Sequence, residues 1–395
     1  MNPFLSLPGA IAGPEGVAQH YGEPLVEQRA LEAGAAVVDL SHRGIVSVSG
    51  PDRLSWLHSM TSQRLTGLPA GESTESLLLD ANGRIETAFR LVDDGERSLL
   101  LVDEGQAEPL ASYLSRMRFA LRVEVQDLSE ELAAVLAFDG GPAAASLRAL
   151  DPTAEWRDPW AEVVSGGTQY ARADEAHPGA DWNAVHFVFP RGRLADVAAV
   201  VASRGDGNAG DEAGGGAIRA AGLLALDALE VRAWRPTQHG DVDERAIPHE
   251  LDWLRTAVHL NKGCYRGQET IAKVHNLGHP PRRLVLLHLD GSGGELPPDG
   301  ALVYAAGEIG GETARPVGRV TRAALHHEWG GIALALLKRS VAEDAALEVR
   351  VGEDAADPAS PGTAVVAAAQ EIIVPRDAGA TRREDIRAHF SRRPR

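Results

Sequence analysis

Asn261-Lys262-Gly263-Cys264-Tyr265-Arg266-Gly267-Gln268-Glu269 concentrates most of the unusual chemistry of this 395-residue chain. It holds the single cysteine, Cys264, and one of three lysines, Lys262, in a protein that otherwise takes its positive charge from arginine. Lys273 lies shortly after, so two of the three lysines flank the thiol. A cation two residues from a cysteine can stabilise the thiolate, and Gly263 and Gly267 give the backbone the positive-φ freedom that close approach to a ligand demands. The same residues allow a plain reading, because a lone cysteine is commonly a small buried hydrophobe and a glycine pair commonly marks a turn.

Lys262 to Glu269 matches every fixed position of K-G-C-[FY]-x-G-Q-E, and the stretch resembles the signature of the YgfZ branch of folate-binding proteins, relatives of the glycine-cleavage T protein (aminomethyltransferase). Further segments carry the likeness. Val38-Asp39-Leu40-Ser41-His42-Arg43-Gly44 and Val48-Ser49-Gly50-Pro51-Asp52 are similar to the family's D-x-S-x-x-G and V-x-G-x-D segments. Leu77 to Arg84 resembles its strand and turn, and Leu229-Glu230-Val231-Arg232-Ala233 its L-R-x-E-A helix end. The resemblance runs from about Val37 to Val374 and implies an α+β, multidomain T protein-like fold: two interlocked α/β units plus a small C-terminal β-barrel.

Hydrophobic periodicity gives the same classes of element. Pro24–Ala33, Asp52–Met60, Ala107–Arg116, Ala143–Leu150, Leu194–Ser203, Ala217–Val231 and Gln268–His275 read as helices. Alternating segments between them read as strands, with Asn82-Gly83 as a hairpin turn. From Arg283 the texture changes to short strands separated by Gly- and Pro-rich turns, the pattern of a small barrel. The expected domains are 1–140 (part of a folate-binding-like α+β domain), 141–280 (a second α/β domain carrying the signature), 281–375 (the barrel) and 376–395 (a basic disordered tail). Residues 205–216, G-D-G-N-A-G-D-E-A-G-G-G, lack an apolar anchor and read as a flexible surface loop.

An apolar fraction of 44% is ample for packed cores, and a net charge of −17 argues against broad binding to nucleic acid or anionic membranes. One cysteine cannot form an internal disulfide, and no apolar run approaches the ~20 residues that span a bilayer. Cytoplasmic localisation is the expectation.

Folate is a flat pterin with hydrogen-bond donors on one edge, an aromatic spacer and an anionic tail, so its site needs a buried carboxylate, apolar walls and cations at the mouth. The resemblance puts Glu230 where T proteins place their pterin-binding glutamate; the alternative is a solvated acid at a helix end. Lys262 or Arg266 could meet the anionic tail or steady a thiolate, and Tyr265 offers an aromatic face. Gln268 and Glu269 either face the ligand or open the next helix, where an acid is stabilised by the helix dipole. Cys264 is the residue chosen first, as a thiolate or transient ligand. The spacings of His259 with Cys264 and of His275 with His279 allow metal ligation, but Cys264 has no partner cysteine and Pro280 disfavours helix at His279, so no stable metal site is expected. His326-His327 before Glu328 reads as a solvated barrel turn.

The T protein uses an aspartate on the strand after the glycine turn, and the matching position here is Thr87, with Ala88 next. Glu86 is one residue away, and strand neighbours point to opposite faces. A pterin glutamate without that acid suggests folate binding uncoupled from aminomethyl transfer. The expected ligand is tetrahydrofolate or a one-carbon-substituted folate. The leading reading is support for assembly or repair of iron–sulfur clusters, with iron–sulfur client or assembly proteins as partners. A folate-dependent aminomethyltransferase and a folate-responsive interaction protein without chemistry are the alternatives.

Overall fold

The structure is a computed structural model and describes residues 2–172, 176–202, 217–291, 294–309, 315–352, 355–357 and 364–381. The segment 205–216, expected to be a surface loop, and residues 382–395 lie outside them. Contacts divide the chain into two interleaved units, 1–76 with 87–162 and 180–230, and 77–86 with 163–179 and 231–395. This differs from a sequential reading of domains, since each unit draws on segments far apart in the chain.

The first unit opens with a ribbon of β1 (Ile11–Ala12) and β2 (Ala18–His20) and contains most of two five-stranded sheets. One sheet has the order β10-β11-β9-β3-β12, from Ala154–Arg157, Ala184–Pro190, Leu132–Phe138, Ala36–Asp39 and Arg219–Ala221. The other has the order β5-β6-β7-β4-β8, from Ser73–Leu79, Ile85–Asp93, Arg97–Val102, Gly44–Ser49 and Glu124–Asp127; the hairpin tip at 77–86 groups with the second unit. Helices α1 (Pro24–Glu32), α2 (Arg53–Met60), α3 (Ala107–Met117), α4 (Pro142–Arg148) and α5 (Leu194–Ala202) accompany the sheets. Every residue of β9 is buried, so it reads as a continuous apolar run rather than an alternating one. Val135 and Phe187 from the first sheet join Leu147 of α4 and Val197 of α5 in one core.

The expected helix Ala217–Val231 is corrected at its start. Ala36 pairs with Arg219 and Val38 with Ala221 in a parallel ladder, and the helix α6 begins only at Leu223 and runs to Arg232. Gly222 makes the break: its N–H donates to the Glu27 carboxylate at 2.9 Å, and a Cβ there would lie 2.2 Å from the Gln19 carbonyl oxygen.

The second unit contains α7 (Gln238–Asp241), α8 (Gln268–Leu277) and a closed six-stranded barrel of order β13-β16-β15-β14-β17-β18. Its strands are β13 (Arg282–Leu289), β14 (Leu302–Ala305), β15 (Gly318–His326), β16 (Gly330–Lys338), β17 (Leu347–Arg350) and β18 (Val365–Ile372). Val285, Leu287, Val303, Val320, Ala335 and Val349 fill the barrel, following the period-two rule. Closure removes the exposed sheet edges that β18, the last described strand, would otherwise leave. A bulge between Val320 and Arg322 turns Thr321 and Arg322 onto one acid: Thr321 Oγ1 donates to Asp241 at 2.5 Å and the Arg322 guanidinium lies 3.1 Å from it.

The tail expected from 376 onward is ordered through Thr381. The Arg376 N–H donates to Glu343 at 2.8 Å, His279 Nδ1 donates to the Ala378 carbonyl at 2.9 Å, and Thr381 Oγ1 donates to the His275 carbonyl at 3.1 Å. Ala378 and Ala380 are buried, which the arginine-rich composition beyond them hides.

Candidate functional site

The signature segment closes on the tip of the β5–β6 hairpin. Asp80 to Gly83 form the turn, in which the Asp80 carboxylate accepts from the N–H groups of Asn82 and Arg84 at 2.7 and 2.8 Å. Gly83 (φ +77) and Gly267 (φ +84) meet there, and a Cβ on Gly267 would lie 2.6 Å from the Asp80 carbonyl oxygen. Both positions therefore demand glycine for conformation and for space. Arg266 reaches Glu86 at 2.9 Å, with both side chains more than a third exposed.

Within the segment the side chains separate into two sets. Lys262 and Tyr265 are buried, with the ammonium 4.8 Å from the centre of the tyrosine ring. Burial brings the Lys262 ammonium down to about 7 and pushes the Tyr265 phenol up. Cys264 is a free, exposed thiol. Gln268 donates to the Lys262 carbonyl at 3.4 Å, and exposed Glu269 sits in the first turn of α8, where the helix dipole favours an acid.

A strap holds the segment's approach. Residues 163–171 run beside 252–260, with Val164 N–H on the Arg255 carbonyl at 3.0 Å, Thr168 N–H on the Leu254 carbonyl at 3.1 Å and Leu260 N–H on the Gly166 carbonyl at 2.8 Å. The carboxylate of fully buried Asp252 accepts from the N–H groups of Tyr170 and Ala171 at 2.6 and 3.3 Å. Burial pushes Asp252 up to about 7 in spite of those bonds. Tyr170 OH pairs with His275 Nδ1 at 3.2 Å, and the two rings stack. His249 Nε2 donates to the Ile271 carbonyl at 3.0 Å, so α8 is tied at two points along its length. His275 and His279, weighed above as possible ligands, thus face different partners, Tyr170 and the Ala378 carbonyl. The expected solvated turn is present at 327–329, with Glu328 exposed, but His326 ends β15 and is buried, its Nδ1 accepting from the N–H groups of Glu328 and Trp329.

In the first unit, Glu230 on α6 is buried and lies within electrostatic reach of Arg43, as does Asp227 one turn before it. Arg43 stands 3.9 Å from Asp103, which also pairs with Arg90 at 2.9 Å. Arg43 Nη1 is buried with no hydrogen-bond acceptor among the described residues. Glu230 is thus not a solvated acid at a helix end. Column for column, however, the acid of L-R-x-E-A falls on Arg232, so the register of this helix end does not by itself pick out Glu230. The two residues are about 200° apart around the helix, and the Arg232 guanidinium lies 5.4 Å from the Trp329 ring in the second unit. Thr87 is buried and Glu86 is exposed, as strand alternation requires. Asp252, Tyr170 and Arg43 were missed by sequence reasoning. The buried non-glycine positive φ of Asp252, +52, leaves no signal in composition.

These features can be set against known proteins. Residues 19–169 match the GCVT N-terminal domain. An aminomethyltransferase of Symbiobacterium thermophilum is 28% identical over 305 residues, 74% of this chain and 77% of that protein. A chloroplastic protein of Arabidopsis thaliana that carries a transferase name is 25% identical over 297 residues, 72% of this chain and 63% of its own length. The chain therefore spans just under two thirds of that relative. The crystal structure of glycine cleavage system aminomethyltransferase T from Bartonella henselae has the same fold, with a TM-score of 0.66 at 18% identity over 92% of this chain and 94% of that one. The chain thus has aminomethyltransferase-like homologues and the T protein-like fold. No helix among the described residues is long and apolar enough to cross a membrane.

Proposed function

We propose that this chain binds tetrahydrofolate, or a one-carbon-substituted folate, and uses Cys264 to support assembly or repair of iron–sulfur clusters in client proteins. The observation that carries the reading is the pinned signature loop: its only thiol is exposed while Lys262 and Tyr265 beside it are buried. A reactive group displayed on a rigid loop suits contact with a partner. The residues fit a pterin, because the buried Arg43 Nη1 donor lacks an acceptor among the described residues and Glu230 supplies one for the pterin's donors. In the first unit Glu230 and Arg43 would hold the pterin edge. Bound folate would supply one-carbon chemistry, while Cys264 would offer its sulfur to a client cluster, persulfide or oxidised sulfur.

The test is an anaerobic calorimetric titration with tetrahydrofolate, beside Glu230→Ala and Cys264→Ser. The expected result is saturable binding that Glu230→Ala weakens at least tenfold and Cys264→Ser leaves intact, with client iron–sulfur activities in cells lost on Cys264→Ser. Intact client activities would remove the cysteine from the mechanism. The transferase reading draws on the aminomethyltransferase relatives, but Thr87 stands at the aspartate position and Glu86 is paired to Arg266. Formation of methylenetetrahydrofolate from an aminomethyl donor would favour it.

A further inference from the structure

In the first unit β8 is the outer strand of its sheet, with β4 on one side and no strand among the described residues on the other. Its register with β4 is unbroken from Ser49↔Glu124 to Val46↔Asp127, and the Leu128 N–H donates to the Ile45 carbonyl at 2.8 Å. Hydrogen bonding alternates along an antiparallel pair. The even-numbered residues therefore turn their N–H and C=O groups to β4, and Val125 and Asp127 turn theirs outward. An outward row of unpaired backbone groups is a template for another strand.

The flanks of this edge decide which strand fits. Residues 116–131 read R-M-R-F-A-L-R-V-E-V-Q-D-L-S-E-E, three arginines followed by four acids, nearly balanced within a chain of net charge −17. Arg118, Arg122, Asp127, Glu130 and Glu131 are all exposed. Phe119 and Leu121, on the turn that leads into β8, are 81% and 43% exposed. Phe119 holds φ +44, a conformation that bulky residues rarely adopt, and holds it with its ring in solvent. Such a segment is complementary to itself when reversed, because an antiparallel copy sets the basic end of each against the acidic end of the other, as an isologous two-fold contact requires.

We infer that two copies of this chain pair antiparallel through β8, with the two-fold axis at Val125. In that register Val125 meets its own copy and Glu124 faces Gln126 of the second chain. An axis at Glu124 would set two carboxylates face to face, and one at Gln126 would set Asp127 against Val125. Arg122 then lies opposite Leu128 and diagonal to Glu130 of the second copy, within reach of a long side chain. It holds Asp52 at 2.8 Å while remaining 74% exposed, so its guanidinium is open to a second carboxylate. The turn bearing Arg118, Phe119 and Leu121 comes against the 129–131 turn of the second copy, with Glu130 and Glu131 on it.

The test uses the full chain. In sedimentation equilibrium between about 1 and 200 µM, the range that a small, transient interface requires, the mass should rise from 41.9 kDa toward twice that value. Arg118→Glu alone and Glu130→Arg/Glu131→Arg alone should each weaken association at least fivefold, and an equimolar mixture of the two variants should restore it, because opposite charges again meet at both ends. A monomer at every concentration leaves the edge to an extended segment of another protein and overturns the proposal; so does a dimer indifferent to the charge variants, or a mixture that stays monomeric. Register is read separately, in a Cys264→Ser background that leaves one thiol per chain. Val125→Cys should form a disulfide-linked dimer under mild oxidation at least tenfold more readily than Glu124→Cys or Gln126→Cys alone, while those two variants mixed should cross-link to each other. Equal cross-linking at the three positions overturns the two-fold at Val125.

Discussion

Glu230 and Arg232 show how a short motif can mislead when its letters are matched out of register. Both sit on α6, and the buried acid lies near Arg43 while the arginine covers Trp329. If burial and neighbourhood decide, Glu230→Ala weakens tetrahydrofolate binding at least tenfold and Arg232→Ala changes it less than threefold, measured by calorimetry. The opposite order would hand the site to Arg232. Asp252 offers a second test at this scale. Burial raises its pKa from 3.8 to about 7, so the native state holds the proton more tightly than the unfolded chain. Its stabilising effect is therefore complete below about pH 4 and is lost as pH rises through about 7. Melting temperature between pH 5 and pH 8 should fall more steeply in the wild type than in Asp252→Asn, which has no proton to lose. Parallel curves would show that Asp252 does not titrate in this window.

At the scale of elements, the hairpin tip and the signature loop meet through two glycines as well as through the Arg266–Glu86 pair. Gly267→Ala forces a Cβ against the Asp80 carbonyl in a backbone conformation of φ +84. A destabilisation of about 1–3 kcal/mol is expected, read from urea unfolding; no change would show that the turn tolerates a side chain there. The glycines and the cysteine were legible in the sequence because composition marks them. Their partner was not: Glu86 and Arg266 are 180 residues apart, and nothing in either segment names the other. Strands show the same division. β9 is announced by its unbroken apolar run, whereas β18 reads V-V-A-A-A-Q-E-I, and alanine has little preference for a pleated sheet. β12 is three residues long and owes its existence to pairing with β3.

On the scale of the whole molecule, the barrel was legible as a run of short strands, whereas interlocked units were expected only through the family resemblance and their bounds were not legible, because contact between distant segments leaves no periodicity. The second unit joins its preceding loops to the barrel through Arg282, which lies 2.6 Å from Asp243 and 2.8 Å from fully buried Glu250. Burial would raise Asp243, but the bonds from Arg282 and the charge of Arg319 hold it at about 2. Arg282→Ala leaves Glu250 buried without its cation, a loss of about 3–5 kcal/mol; a change under 1 kcal/mol in denaturant unfolding would show that the pair is dispensable. The 180-residue gap between Glu86 and Arg266 also fixes a schedule for the newborn chain. At ~5–20 residues per second of synthesis, the hairpin tip emerges from the ribosome about 10–40 s before the loop that will cover it exists. For that interval it must be kept from wrong partners by something other than its own sequence, and slowing translation between the two segments should increase the demand for chaperones more than slowing it after the loop.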